Sequence, residues 1–446
     1  MKFLENHSVA NASKKIEEIL NQRKNSGPVL EYGVYNGAVS VNEFAKCVLV
    51  DLAGATTTYY VVPYLKADGT KWVICGMTNK IGQNYCAELE YTAPIKWEQE
   101  GIEFEFSTTP TNHQASSLSI KQAPNVTTRV GVTIDKFWEA KIQGNFKNLS
   151  LNSRGPIYVT ADTTATENIK ITGTYFDNKN HQVLADGVLE LSGQQTIINK
   201  GALAGKKGTT IGATLSNLVT DVNSKIGDAN STTSISFNST IANTSSSNDF
   251  GTIVGKDVRI ALRPISTTNT QQLGKGVIAA RESVTLIQHQ GCIMLPEVEI
   301  QAPKLIINAS DFKLARQARC AMTIVSTGPQ RPLKLSHEYR TSGVLQITQE
   351  GVGAYVNSVL ATIQANSGME IATANAEFVL GNDANNKHPE LIIVDGRLQV
   401  TATGFDCEKG NVIARSAIIN VPKFGLKIGR LMKDPNMDIT VDFSSY

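Results

Sequence analysis

A parallel β-solenoid is the fold this sequence predicts, and three observations predict it. The first is the stretch Gly276 to Ala309, GVIAARESVTLIQHQGCIMLPEVEIQAPKLIINA. Apolar residues fall there in short bursts, among them Val277 and Ile278, then Val284 and Leu286, Ile293 and Leu295, Val298 and Ile300, Leu305 and Ile307. Within the bursts they alternate with polar residues, the period of a half-buried strand. Gly, Pro, Asn, Gln or a charge separates the bursts, and none is long enough for a helix. The second observation is that the head of this stretch recurs elsewhere in the chain, as a solenoid requires. The third is composition. Only 18% of residues are charged, below the usual ~25%, and Ser, Thr and Asn are abundant, which suits strands and turns.

The recurring head reads Gly276-Val-Ile-Ala-Ala-Arg-Glu-Ser-Val-Thr-Leu. Its relatives are Gly201-Ala-Leu-Ala-Gly-Lys-Lys-Gly-Thr-Thr-Ile, Gly251-Thr-Ile-Val-Gly-Lys-Asp-Val-Arg-Ile and Gly410-Asn-Val-Ile-Ala-Arg-Ser-Ala-Ile-Ile. Each copy gives Gly, a short strand, a small residue, Lys or Arg, then a second strand. A small residue and a cation between two strands suit a sharp, solvent-facing corner. The glycines are expected to supply the left-handed backbone that corners often need.

This pattern resembles the filamentous-haemagglutinin type of right-handed parallel β-helix. Ala185-Asp-Gly-Val-Leu-Glu-Leu-Ser-Gly, followed by Ile197-Ile-Asn-Lys-Gly-Ala-Leu-Ala-Gly, is similar to the rungs of that family. The likeness runs over about residues 165 to 425. It implies the fold, and an adhesin-like or secreted-effector-like role. The signal sequence and secretion domain of exported members are not found here.

Length and charge bound the function. A chain of 446 residues can bury a large core. Lys plus Arg number 42 and Asp plus Glu 40, for a net charge of +2. That is no footprint for nucleic acid, which asks for a strongly basic face. The six cysteines form no CxxC pair, and the six histidines no HxH or HExxH. The cysteines read as thiols in a reducing compartment, or as one or two disulfides with Cys75 and Cys86 the nearest pair. Neither a metal nor any other cofactor is expected. Met1 to Ala10 places Glu5, Asn6 and His7 where a signal peptide is apolar, and no run reaches the ~18 apolar residues of a membrane helix. The expected location is the cytoplasm, or outside it by a non-Sec route.

Four segments follow in order. Residues 1–27 hold an amphipathic helix or arm, with Val9, Ala12, Ile16, Ile19 and Leu20 near helical spacing before Gly27-Pro28. Residues 28–123 carry Trp72, Trp97 and much of the tyrosine, lack the corner repeat, and show a hairpin signal at Ala67-Asp-Gly-Thr. They read as a compact, mainly antiparallel β domain that caps the solenoid or, through its aromatics, binds a partner. Residues 124–430 are the parallel β-helix, with a Ser/Thr/Asn-rich insertion near 221–250. Residues 431–446 form a tail that alternates as a strand.

The chemistry that would mark an enzyme is sparse. Glu297 with Glu299, and Glu103 with Glu105, sit at strand spacing and should face one side, as a solvated face does. Gly205-Lys-Lys-Gly fails as a P-loop, because Lys200 stands where its first glycine belongs. One cluster is basic: Lys313, Arg316, Arg319, Arg331, Lys334 and Arg340, a candidate anion or glycan site. The expected function is a non-catalytic scaffold or binding rod that contacts a protein or glycan surface. A polysaccharide-acting β-helix enzyme and a self-assembling filament or shell subunit are the alternatives, and a homo-oligomer is compatible with either binding or assembly.

Overall fold

The computed structural model describes the strands 45–50, 56–61 and 95–99, and most of 101–443; the gaps longer than two residues are 109–115, 214–216, 239–249, 264–270, 289–291, 315–319, 328–332, 351–354, 382–388 and 432–437. The expected N-terminal helix, the Ala67–Thr70 hairpin and the Cys75 and Cys86 pair lie outside the described residues. Among the described residues every regular element is a strand. The chain is a β-solenoid, and it divides into two compact units, Met1–Val219 and Thr220–Tyr446.

The first unit begins antiparallel. Strand Ala45–Val50 pairs antiparallel with Thr56–Val61 and with Gly131–Phe137. Ile95–Gln99, Ile102–Thr108 and Ser116–Gln122 form a second antiparallel set. Ser116–Gln122 is the junction, since its other neighbour, Glu139–Phe146, runs parallel to it. From there each strand stacks parallel on the one a turn earlier. Leu118, Ala140, Ile157, Phe176 and Ile197 stand in register in one column. Leu151, Ile171, Leu191 and Ile211 make another. All nine are buried, so alternation sends one face of each strand into the core.

The second unit carries one column through ten rungs. Ile235, Ile260, Leu286, Ile307, Ile324, Ile347, Ile371, Val400, Ile419 and Val441 are successive register partners on parallel strands. The nine from Ile235 to Ile419 are all at most 2% exposed. Burial of each such side chain contributes roughly 1.5–3 kcal/mol, and β-branched side chains suit the pleated surface. The Ser/Thr/Asn-rich segment joins in, since Thr233–Asn238 pairs parallel with Thr252–Arg263; its remainder, 239–249, lies outside the described residues. The tail is a strand, Asp438–Phe443, paired parallel with Ser416–Val421.

Two copies of the corner repeat break the strand as expected, at Lys206–Lys207 and at Ala414–Arg415. The other two run through the strands Thr252–Arg263 and Gly276–Gln288, with only a register shift between Gly255 and Asp257. The repeat's glycines act differently from expectation. Positive φ occurs at Gly101, Gly144, Gly227, Gly368, Gly381 and Gly396 among the described residues, and at none of Gly201, Gly251, Gly276 or Gly410. A side chain at Gly201, Gly251 or Gly276 would instead collide with the backbone carbonyl of His181, Ser224 or Phe250 on the neighbouring rung, and one at Gly410 with Leu380. Close approach between rungs, not a left-handed turn, requires glycine there.

Candidate functional site

The basic segment is built on short strands. Lys313 lies on Asp311–Leu314, Lys334 on Lys334–Leu335 and Arg340 on Tyr339–Thr341. The rings of Phe312 and Tyr339 stack at 4.1 Å between centroids, and both are buried. Alternation therefore turns their neighbours, Lys313 and Arg340, outward, and both are exposed, as is Lys334. The strands of Lys313 and Lys334 also lie against one another. Arg316, Arg319 and Arg331 lie outside the described residues.

Several other cations on the rungs are neutralised across a turn. At the repeat corners Lys206 meets Asp186 at 2.7 Å, Lys256 meets Glu282 at 3.2 Å and Arg415 meets Asp395 at 2.8 Å. Lys170 pairs with Glu190 and Lys427 with Asp406 on the outer faces. The Lys206 ammonium holds the Asp186 carboxyl below its ordinary value, by hydrogen bond first and charge second. Asp406 acts on Lys427 in the opposite sense and raises it. Lys313, Lys334 and Arg340 have no ion-pair partner among the described residues, and neither do Arg259, Arg281, Lys304 and Arg397; Glu338, two residues before Arg340, is exposed.

The carboxylate pairs are outward groups. Glu103 and Glu105 are both half-buried on one face of Ile102–Thr108, and Glu103 approaches Lys121 at 3.8 Å. Glu299 is exposed and accepts a hydrogen bond from Gln301 at 2.9 Å; Glu297 lies outside the described residues. Among the described residues no three His, Cys, Asp or Glu side chains gather as a metal site. No described helix is long and apolar enough to cross a membrane, which says nothing of a β-barrel. Cys320 and Cys407 are buried thiols outside any disulfide, Cys407 donates to the Lys427 carbonyl at 3.3 Å, and burial raises the Cys320 thiol.

One further group left no mark in the sequence. Tyr158 and Tyr175 lie half-buried on an outer sheet face of the first unit, with ring centroids 5.8 Å apart and planes at 56°. Lys179 Nζ stands 5.9 Å from the Tyr158 ring. Burial first, then Glu139 and Asp177 for Tyr158, and Asp177 and Tyr158 for Tyr175, raise both phenols. A fixed repeat period does not reveal the pair. Tyr175 is in register with Pro156 and Asp177 with Tyr158, so the two rings meet diagonally.

No family model, curated protein or solved structure matches this chain.

Proposed function

We propose that the chain is a non-catalytic binding rod whose basic segment, Lys313, Lys334 and Arg340 together with Arg316, Arg319 and Arg331 of the sequence, takes a carboxylated or sulfated glycan. The observation that carries this is a grouping of exposed cations without ion-pair partners among the described residues. Lys313, Lys334 and Arg340 fall within one segment, and the strands of Lys313 and Lys334 lie against one another. Exposed cations without carboxylate partners attract a polyanion, in a salt-dependent way. The solenoid is read as right-handed and of the filamentous-haemagglutinin type, on the corner repeat. The carboxylates argue against glycoside hydrolysis, because that chemistry asks for two tuned carboxyl groups at a set separation.

Calorimetric titration with heparin as the sulfated probe and polygalacturonate as the carboxylated one tests the reading. Binding that weakens with salt, that is lost in the variant K313A/K334A/R340A, and that leaves the polymer uncut is expected. No binding to either polymer at low salt contradicts the glycan reading. Shortened polymer, with shortening abolished by Glu299→Gln or Glu338→Gln, contradicts the non-catalytic one.

A further inference from the structure

The outer face that carries Tyr158 and Tyr175 joins an aromatic surface to a rim of mixed polarity. Ile157 and Phe176 are buried in the core, so their chain neighbours Tyr158 and Tyr175 point out, on adjacent rungs. Lys141, Tyr158 and Asp177 are register partners on three successive rungs. Pro156, Tyr175 and Thr196 hold the row beside them. Both rings are half-buried, so each keeps part of its surface toward solvent. The ring pairs Phe312 with Tyr339 and Phe378 with Phe405, by contrast, are buried in the core. Four charges stand around the tyrosines. Glu139 pairs with Lys141 at 3.7 Å. Asp177 accepts from the Lys179 backbone at 2.7 Å and is hydrogen-bonded to the Tyr175 hydroxyl. A carboxylate has about four acceptor sites, so Asp177 keeps capacity for a further donor. The exposed Lys179 ammonium, 5.9 Å from the Tyr158 ring, is at the outer limit of a cation–π contact and is held there weakly.

We infer that the Tyr158–Tyr175 face binds a neutral pyranose residue of a glycan, its ring stacked on an aromatic side chain and its hydroxyls set in the polar rim. Three features choose that occupant. The C–H face of a pyranose is apolar and matches an aromatic ring. Each sugar hydroxyl both donates and accepts, and the rim offers both: Lys141, Lys179 and Thr196 donate, while Glu139 and Asp177 accept. The two carboxylates and two ammonium groups cancel, so the face has no net pull on a polyanion or a cation. A Pro-rich peptide also docks on aromatic grooves. Proline has no N–H to donate, so such a peptide would cover Glu139 and Asp177 without satisfying them, which is costly. The rings stand on paired strands anchored by Ile157 and Phe176, so little ordering is needed when a ligand arrives. The site lies in the first unit and does not rest on the basic segment, which lies in the second.

Calorimetric titration of the full chain with maltoheptaose, cellohexaose and mannohexaose as neutral probes tests it. Binding to at least one is expected, equal at low and high salt and equal in K313A/K334A/R340A. That insensitivity separates this site from the anionic-glycan reading, so either can fail alone. Tyr158→Leu and Tyr175→Leu keep apolar bulk without the ring, and each should weaken binding by about tenfold or more. Tyr158→Phe keeps the ring and should keep most of the affinity. Circular dichroism checks that each variant is folded. Should a leucine variant unfold, the ring signals of Tyr158 and Tyr175, assigned by magnetic resonance through the phenylalanine variants, are expected to shift as sugar is added. No binding to any of the three sugars overturns the inference. So does binding that folded leucine variants retain, binding that leaves both ring signals in place, binding that salt or K313A/K334A/R340A abolishes, or tighter binding of a polyproline peptide than of every sugar.

Discussion

The side-chain amide of Asn178 donates to the side-chain oxygen of Asn199 on the next rung at 2.7 Å, and neither residue has any exposure. The same amide reaches the carbonyl of His181 at 2.9 Å, and the side-chain oxygen of Asn178 accepts from the backbone of Lys200 at 2.8 Å. A buried amide is stable only with its donors and acceptors met. Here each asparagine meets the needs of the other and of the turn beside it. Asn199→Ala removes one acceptor from Asn178 and the oxygen that accepts from the Gly201 backbone. A loss of about 1–3 kcal/mol is expected, read as a lower urea midpoint, while Asn199→Asp should retain part of the stability because its acceptor remains.

Ile347 sits mid-column, between Ile324 and Ile371, with 0% exposure. Ile347→Ala deletes contacts to the rung on either side and leaves a cavity. The expected cost is about 2–5 kcal/mol. Because solenoid stability passes between neighbouring rungs, hydrogen exchange should speed up first on the strands Ala321–Thr327 and Met369–Leu380. A uniform acceleration across the chain would speak against nearest-neighbour coupling.

Gly276→Ala presses a methyl group onto the Phe250 carbonyl and ring. Overpacking of this kind typically costs about 1–3 kcal/mol. The same change at Gly212, where only one distant carbonyl is nearby, should be far milder. Thermal melting of the two variants side by side separates close approach from a general dislike of alanine in strands.

The pH dependence has a sign at each end. Tyr158 and Tyr175 are raised above the ordinary phenol value of 10.0 by burial first, and Lys427 above 10.5 by Asp406. A raised folded value means that the contribution is whole below the ordinary value and is lost as pH climbs through the folded one. Asp186 is lowered from 3.8 by Lys206, so its contribution is whole above that value and is lost as pH falls through the folded one. Melting temperature followed above pH ~10 should decline less steeply in Y158F/Y175F than in wild type. Parallel alkaline profiles would remove the tyrosines from the account.

Much of the winding was legible because solenoid strands obey a local rule. Alternation marked Val284, Leu286, Leu305 and Ile307 as inward, and all four are buried. Some corner cations were legible as well, since Lys206 and Arg415 stand exposed between strands, while Lys256 is exposed at a register shift within one. The reason for the corner glycines was not, because close approach to His181 or Ser224 is a contact with another turn and leaves no trace in the local sequence. Row relations such as Thr285 to Gln346, three rungs apart in register, were hidden for a similar reason. Turns differ in length, so residues that share a row follow no fixed period. At the basic segment, Lys313, Lys334 and Arg340 could be followed into the structure, and their lack of carboxylate partners depends on neighbouring turns that the sequence does not align.

The central claim is that distance in this protein counts rungs and not residues, and a spin-label series measures it. One label is fixed at Thr285, and the second is moved along its row to Thr323, Gln346, Gln399 and Ile418. Labelled chain is diluted into unlabelled chain so that only distances within one molecule are read. The account predicts a straight line of ~4.8 Å per rung, reaching about 24 Å at Gln399 and about 29 Å at Ile418. Distances that scatter about that line, or that grow with separation in sequence, would contradict the solenoid.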